Sequence, residues 1–448
     1  MSKALSKTIF LCSDCGHDFL KWHGKCPNCK EWGTLKEFNT HSNSSRLSST
    51  RDTLDALPLI EFLGNSQSAK TPTGIVEFDR VLGGGVYLGS MILLGGNPGI
   101  GKSTLALQVA GSLEGLVLYV SAEESRGQIG SRGKRLEINS KNVSIISENR
   151  WGLIEKQVEE LKPSYIIIDS IQTIYTEFND ALPGAITQVR ECGQKLLDLC
   201  KSSDISVIII AHVTKEGVIA GPRMLEHMVD AVLFLEGDPR NDYRMLRSYK
   251  NRFGATNEVG IFEMFGNGLK SVENPSKIFL SERQINASGS TIFPSMEGTR
   301  PILVEVQALV SNTNFSTPQR NVNGFDRSRL SMLIAILEKR LNISVSGNDI
   351  FVNVVGGMNI NEPAADMAVI AAIASSNKNI SINAETILLG EIGLSGELRS
   401  INGIQNRLKE SNRLGFKQAI VPNRGEKSIE GMKEIVCKSV TEAFEVIF

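Results

Sequence analysis

Along this chain the apolar residues fall into short runs that end on glycine or on polar side chains. Residues 91–94 run into a glycine-rich turn, 116–120 into Ser121-Ala122-Glu123-Glu124, 165–168 into Asp169-Ser170, and 207–211 into His212. Apolar runs this short, bounded this way, predict strands buried on both faces. Between them, spacings such as Leu105, Val109 and Leu113 predict helices. Their alternation over residues 57–275 predicts an α/β domain with a mostly parallel sheet. Residues 276–448 change character. There, 302–310, 350–355 and 386–389 predict strands, and Leu330, Ile334, Leu337 and Leu341 predict a helix stripe. That α+β pattern is apolar enough for a separate core. Upstream, residues 39–56 are rich in Ser, Thr and Asn, the composition of a flexible linker, and they follow a small module at 1–38.

The turn after the first run reads Gly95-Gly96-Asn97-Pro98-Gly99-Ile100-Gly101-Lys102-Ser103-Thr104 and fits G-x-x-x-x-G-K-[ST] in a strand–loop–helix context. Glycines let backbone N–H groups converge on an anion, and the helix N-terminus adds its positive end. Gly96, Asn97, Pro98, Gly99, Ile100, Gly101, Lys102, Ser103 and Thr104 therefore form the expected ATP site. Lys102 is expected to reach the phosphates and Ser103 to hold Mg²⁺. In open α/β sheets, ligands bind beyond the carboxyl ends of the strands. Asp169 is expected to orient Mg²⁺ through water, Glu123 to polarise the attacking water, and His212 to sense the terminal phosphate. Two long loops, 173–184 and 214–226, follow strands that reach this edge and are candidates for contacting a polymer. Arg126, Arg132, Lys134 and Arg135 form a local basic group that equally suits a solvated helix face. Lys250 and Arg252, at the end of a strand-like run, suit phosphate contact from a neighbouring subunit.

Of seven cysteines, Cys12, Cys15, Cys26 and Cys29 form two C-x-x-C knuckles. Four thiolates so spaced predict one tetrahedral Zn²⁺ whose binding folds a module too small for its own core. A redox pair would not need the second knuckle. Phe19, Trp22 and Trp32 are expected to cover this site, and His17 and His23 to lie at the surface. The scattered remaining cysteines argue for a reducing compartment, hence the cytoplasm, over a disulfide framework.

With 448 residues, 41% hydrophobic and 22% charged, the composition is that of a globular protein of about three domains. The net charge of −1 means that any nucleic-acid contact must come from local patches. No apolar run approaches the ~18 residues of a membrane span, and no secretory signal is evident.

A four-Cys module, a P-loop domain containing Lys250-Asn-Arg-Phe-Gly254, and a distinct C-terminal domain together resemble the bacterial RadA (Sms) family of DNA repair proteins, over essentially the whole chain. The Lys-Asn-Arg-Phe-Gly signature is specific to that family. The resemblance implies a RecA-like core binding ATP at Gly96–Thr104, with Glu123 as catalytic carboxylate, Asp169 on the metal, His212 as γ-phosphate sensor, and Lys250 and Arg252 acting across a subunit boundary. It implies a ring, most simply a hexamer, acting on single-stranded and branched DNA beside a RecA recombinase, with branch migration as the work. The C-terminal region is similar to the Lon protease domain around Gly356-Gly-Met-Asn-Ile-Asn-Glu-Pro363-Ala364-Ala365-Asp366. Where Lon carries its nucleophilic Ser this chain has Ala364, and near Lon's catalytic Lys it has Gln405. The expectation is an inactive protease fold kept as a scaffold. An ATP-dependent protease is thereby disfavoured, and residues 276–448 contain no His for a Ser-His-Asp arrangement. A signalling ring with the same RecA-like core is the other alternative.

Overall fold

The computed structural model describes residues 7–12, 18–28, 30–40, 70–212, 224–237, 242–256, 258–313 and 316–448. The chain divides into two compact units, Met1–Ser271 and Val272–Phe448. The expected linker at 39–56 lies almost wholly outside the described residues.

The N-terminal module is a three-stranded antiparallel sheet of β1 (Lys7–Cys12), β2 (Asp18–Phe19) and β3 (Leu35–Thr40), with β1 central. Cys12 and Cys26 are fully buried and cluster with Leu35, against which Phe10 and Phe19 pack. Trp22 and Trp32 do not cover this cluster; both are exposed, and His23 is exposed beside the Phe19 ring. The expected apolar cover thus reduces to Phe19, because a β-hairpin this short can turn only one face inward. Cys15, Cys29 and His17 lie outside the described residues.

A two-stranded ribbon, β4 (Lys70–Thr71) with β5 (Val86–Tyr87), precedes a nine-stranded sheet. In chain order its strands are β6 (Met91–Gly96), β7 (Val117–Ser121), β8 (Val143–Ser147), β9 (Tyr165–Asp169), β10 (Ser206–Ile210), β11 (Ala231–Glu236), β12 (Tyr243–Asn251), β13 (Val259–Phe265) and β14 (Gly268–Ser271). Across the sheet they stand β14-β13-β12-β11-β6-β10-β9-β7-β8. The six strands from β8 to β11 are parallel; β12 to β14 add an antiparallel flank. Central strands bury both faces. Ile92 and Leu94 enter one core with α1 (Val76–Leu82), α2 (Lys102–Ser112) and α3 (Arg126–Arg135). Met91 and Leu93 enter the other, with α4 (Trp151–Leu161), α5 (Ile186–Ser203) and α6 (Met224–Met228). This two-sided burial is why the sequence reads as continuous apolar runs without alternation. A Ser125–Gln128 capping box starts α3.

The second unit contains α7 (Pro275–Phe279), α8 (Arg327–Leu341), α9 (Asp366–Lys378), α10 (Ile404–Arg413) and α11 (Val440–Ile447). Its seven-stranded sheet takes β15 (Ser290–Glu297), β16 (Arg300–Asn312), β17 (Arg320–Asn323), β18 (Asn348–Val354), β19 (Thr386–Leu388), β22 (Gln418–Val421) and β23 (Lys433–Val436), in the order β17-β18-β16-β15-β19-β22-β23. The hairpin β20 (Glu391–Ile392) with β21 (Leu398–Arg399) stands apart. The segments carrying Ala364 and Gln405 are tied together by Glu362 and Arg407. Arg407, fully buried, donates to Pro294 O (2.6 Å), Asn402 O (3.1 Å) and both Glu362 oxygens (3.0 Å to Oε1). Ala364 is buried and donates nothing from its methyl; Gln405 exchanges bonds with the Lys427 backbone at 3.0 and 2.9 Å. Nearby, buried Asp366 is bound by Arg329, which opposes the upward push that burial gives its carboxyl pKa.

Removing one member of a buried ion pair leaves the other uncompensated. Arg407→Ala is therefore expected to destabilise the chain by about 3 kcal/mol, the low end of the usual range because the Glu362 side chain keeps some solvent contact. Thermal denaturation of the full chain should show a transition lowered by about 6–12 °C, since each kcal/mol moves a unit of this size by ~2–4 °C.

Candidate nucleotide-binding site

The parallel strands bring their carboxyl ends to one edge. Ser121 stands opposite Asp169, and Ile210 opposite Leu94, so the groups that follow each strand lie level with the loop after β6. In that loop Gly96, Gly99 and Gly101 take φ of 150°, 76° and 117°. A β-carbon at Gly96 would stand 2.5 Å from Leu235 O, and one at Gly101 would stand 2.8 Å from Met264 Cε. At Gly99 a β-carbon would meet nothing within 4 Å, so the tip is open and its glycine is required by backbone conformation. The loop is thus pressed against β11 and β13 from behind and open in front, a cradle suited to an anion.

Lys102 is buried, with Nζ donating to Gly96 O at 2.8 Å and Asn97 O at 3.0 Å. Burial lowers its pKa, opposed by the charges of Asp169 and Glu123. Asp169 is buried at the end of β9 and accepts from Tyr119 Oη at 2.7 Å, and the Ser103 hydroxyl lies close enough to act on its pKa. Burial raises its pKa, and those two hydroxyls pull it back. A hydroxyl from the P-loop helix beside a strand-end carboxylate is the hard oxygen pair that Mg²⁺ takes. Glu123 Oε1 accepts from Ser170 Oγ at 2.6 Å and lies 3.5 Å from His212 Nε2. His212 Nδ1 is buried without a partner among the described residues. Lys102, Ser103, Glu123, Asp169 and His212 thus lie together at this edge, close enough for their charges to act on one another.

The sequence pattern does not reveal Tyr119, Ser170 or Arg244. Tyr119 lies inside an apolar strand, and only the register of β7 on β9 brings its hydroxyl to Asp169. Arg244, buried on β12, donates to Ile100 O at 3.2 Å and braces the loop from outside. Arg132 of the basic group pairs with Glu124 at 2.6 Å, and Arg135 donates to Gly266 O, so half of that group is occupied structurally.

Lys250 and Arg252 lie elsewhere. Asn251 pairs with Ala231, which neighbours Ile92 at the start of β6, so this corner sits at the opposite end of the strands from the P-loop. Lys250 Nζ donates to Glu226 O and Val229 O, both at 2.7 Å, fastening the carbonyl end of α6. Asn251 donates to Val81 O and accepts from Phe253 N, and the Phe253 ring stacks on Tyr87 at 3.9 Å. Lys70 Nζ donates to Phe253 O and Gly83 O. Arg252 alone points outward, 58% exposed, with a 3.4 Å contact to Asp230. The 173–184 loop is described; most of 214–226 lies outside the described residues.

Among the described residues no helix is long and apolar enough to cross a membrane, and no group of three His, Cys, Asp or Glu side chains is placed to hold a metal. Two of the four knuckle cysteines lie outside them. Family models match in three places. Residues 10–37 match a rubredoxin metal binding domain, 71–155 the KaiC ATPase family, and 337–447 the Lon protease (S16) C-terminal proteolytic domain. Among solved structures, a KaiC-like protein from the archaeon Pyrococcus horikoshii aligns with 45% of this chain and 98% of its own, at 21% identity and a TM-score of 0.39. DNA repair protein RadA of Bacillus subtilis is 46% identical over 94% of this chain and 93% of its own. That of Halalkalibacterium halodurans is 45% identical, and that of Aquifex aeolicus 44%, each over 99% of both chains. With a zinc-ribbon module, a RecA-like ATPase core and a Lon-like C-terminal domain in that order, and with such identity over nearly its full length, this chain belongs to the DNA repair protein RadA family.

Proposed function

We propose that this chain is an ATP-driven DNA motor whose subunits close into a ring, most simply a hexamer, and promote branch migration of recombination intermediates beside a RecA recombinase. In this reading 1–38 is the zinc module held by Cys12, Cys15, Cys26 and Cys29, 39–56 a linker, 57–275 the motor, and 276–448 a scaffold without protease chemistry, working in the cytoplasm. Bound Mg²⁺–ATP supplies the phosphoanhydride that is split. Gly96 to Thr104 cradle its phosphates, Lys102 exchanges its carbonyl partners for phosphate oxygens, and Ser103 with Asp169 holds the cation. Glu123 accepts the proton of the attacking water. His212, 3.5 Å from Glu123 and immediately before the second loop, reports the state of the site to that loop. Lys250 holds the helix that follows the same loop, and Arg252 reaches the neighbouring subunit's nucleotide.

One observation supports this reading above others. The hydrolytic group lies at one end of the strands, while the exposed guanidinium of Arg252 lies at the other, beyond reach of its own chain's loop. Such a layout suits a site completed between subunits. The test is ATP turnover and three-strand branch extension by the purified chain. Single-stranded DNA should stimulate turnover, branch extension should require ATP, and imaging with a non-hydrolysable analogue should show closed rings. A monomer indifferent to DNA would end the proposal. Within the site, Glu123→Gln is expected to bind ATP normally and slow its hydrolysis by ~10²–10⁴-fold, the usual contribution of a positioned base. Equilibrium nucleotide binding and phosphate release separate the two effects.

A further inference from the structure

The N-terminal module turns two large rings into solvent. Trp22 is 61% and Trp32 73% exposed. A hairpin holds them, with Gly33 N donating to Gly24 O at 2.9 Å, Cys26 N to Glu31 O at 2.8 Å, and Lys25 bridged to Trp32 across the strands. Both rings border Gly24. Their nearest atoms stand 3.6 and 3.7 Å from where its β-carbon would be, so the two indoles form one patch. Lys21, Lys25 and Lys30 are exposed in the same short segment, and the Lys25 ammonium lies 5.7 Å from the Trp32 ring centroid. Between residues 20 and 34 the only acidic side chain is Glu31. The patch is therefore aromatic and locally basic on a chain whose net charge is near zero.

We propose that Trp22 and Trp32 form a stacking platform for the unpaired bases of single-stranded DNA, with Lys21, Lys25 and Lys30 set for the adjoining phosphates. Every base offers a π-face, so rings beside cations bind a strand without reading its sequence. A duplex hides those faces and fits the platform poorly. An apolar protein partner would gain nothing from three ammonium groups at the rim. The choice of DNA rests on the motor reading; the platform itself is a separate element, on a module that takes no part in the nucleotide site.

The chain has three tryptophans, and Trp151 is buried, so stacking on the module is visible in fluorescence. The full chain carrying Trp151→Phe is titrated with oligo-dT without nucleotide. Saturable quenching is expected. In parallel, Trp22→Ala with Trp32→Ala should weaken oligo-dT binding by at least about tenfold, as measured by anisotropy. Its zinc content, read by chelator release, and its basal ATP turnover should be unchanged. Phenylalanine at both positions should keep most of the affinity, because it keeps a stacking face. No quenching by oligo-dT overturns the proposal, whatever the variants do. So does wild-type affinity in the zinc-loaded alanine variant, or quenching by an acidic peptide in place of oligo-dT. If alanine costs the module its zinc, the phenylalanine variant and the quench decide. DNA-stimulated turnover without quenching would fail this inference alone; quenching without stimulated turnover would fail the motor reading alone.

Discussion

Lys102→Ala is expected to abolish ATP turnover, with and without DNA, while leaving the fold in place. The ammonium is buried against the carbonyls of Gly96 and Asn97 at 2.8 and 3.0 Å, inside a loop that Arg244 and β11 press from behind. It therefore stands ready at the cradle, and little reorganisation is needed when phosphate oxygens replace those carbonyls. Loss of one preorganised charge at a reacting phosphate removes at least ~10²–10³-fold in rate. The fold should lose little, because water entering through the open front can take over the two carbonyls that lose a donor. Phosphate release should fall to background, while circular dichroism and the thermal transition stay close to wild type. Lys102→Arg is the sharper control, because a guanidinium keeps the charge but not the compact fit. Hydrolysis that still responds to DNA in the alanine variant would remove the loop from the mechanism.

The candidate site is legible in the sequence because its parts are local. A phosphate loop is ten consecutive residues, and strand-end carboxylates follow apolar runs directly, so Lys102, Glu123, Asp169 and His212 needed no long-range information. What supports them was not legible. Tyr119 lies 50 positions from Asp169, and Arg244 lies 144 from Ile100. Nothing in an apolar run or a strand-like segment marks one polar side chain as the partner of a distant atom. The cationic corner shows the same limit differently. Its sequence presents Lys250 and Arg252 as equivalent, yet Lys250 is spent on helix carbonyls and only Arg252 faces out. In the N-terminal module, cysteine spacing is readable because two C-x-x-C knuckles match what one tetrahedral ion would need. Whether Trp22 and Trp32 point inward depends on hairpin register, which spacing alone does not determine. In the second unit, Ala364 and Gln405 were visible as departures, whereas the Glu362–Arg407 tie joining their segments was not.

Arg252→Ala is expected to retain ATP binding and lose hydrolysis coupled to DNA. Asn251 pairs with Ala231 beside Ile92, whereas Gly96 pairs with Leu235, four residues further along the strand. At ~3.3 Å per residue the corner lies about 13 Å from its own P-loop along the strand axis, and its side chain leads away from that edge. In the proposed ring, an arginine so placed would serve a nucleotide held by another copy. A guanidinium supplied in this manner is worth ~10³–10⁵-fold in turnover, so the loss should be nearly complete. The side chain is mostly solvated with one 3.4 Å contact to Asp230, so its removal should barely change stability. Lys250→Ala should do the reverse, loosening α6 and lowering the thermal transition, because it strips a donor from three carbonyls. Mixing decides between cis and trans action. Arg252→Ala subunits keep a working loop, and Lys102→Ala subunits keep a working arginine. A random ring of the two contains intact boundaries at up to about a quarter of its interfaces, so the mixture should recover turnover that neither protein shows alone. A mixture as inactive as its components, with rings formed and nucleotide bound, would mean that Arg252 does not act across a subunit boundary.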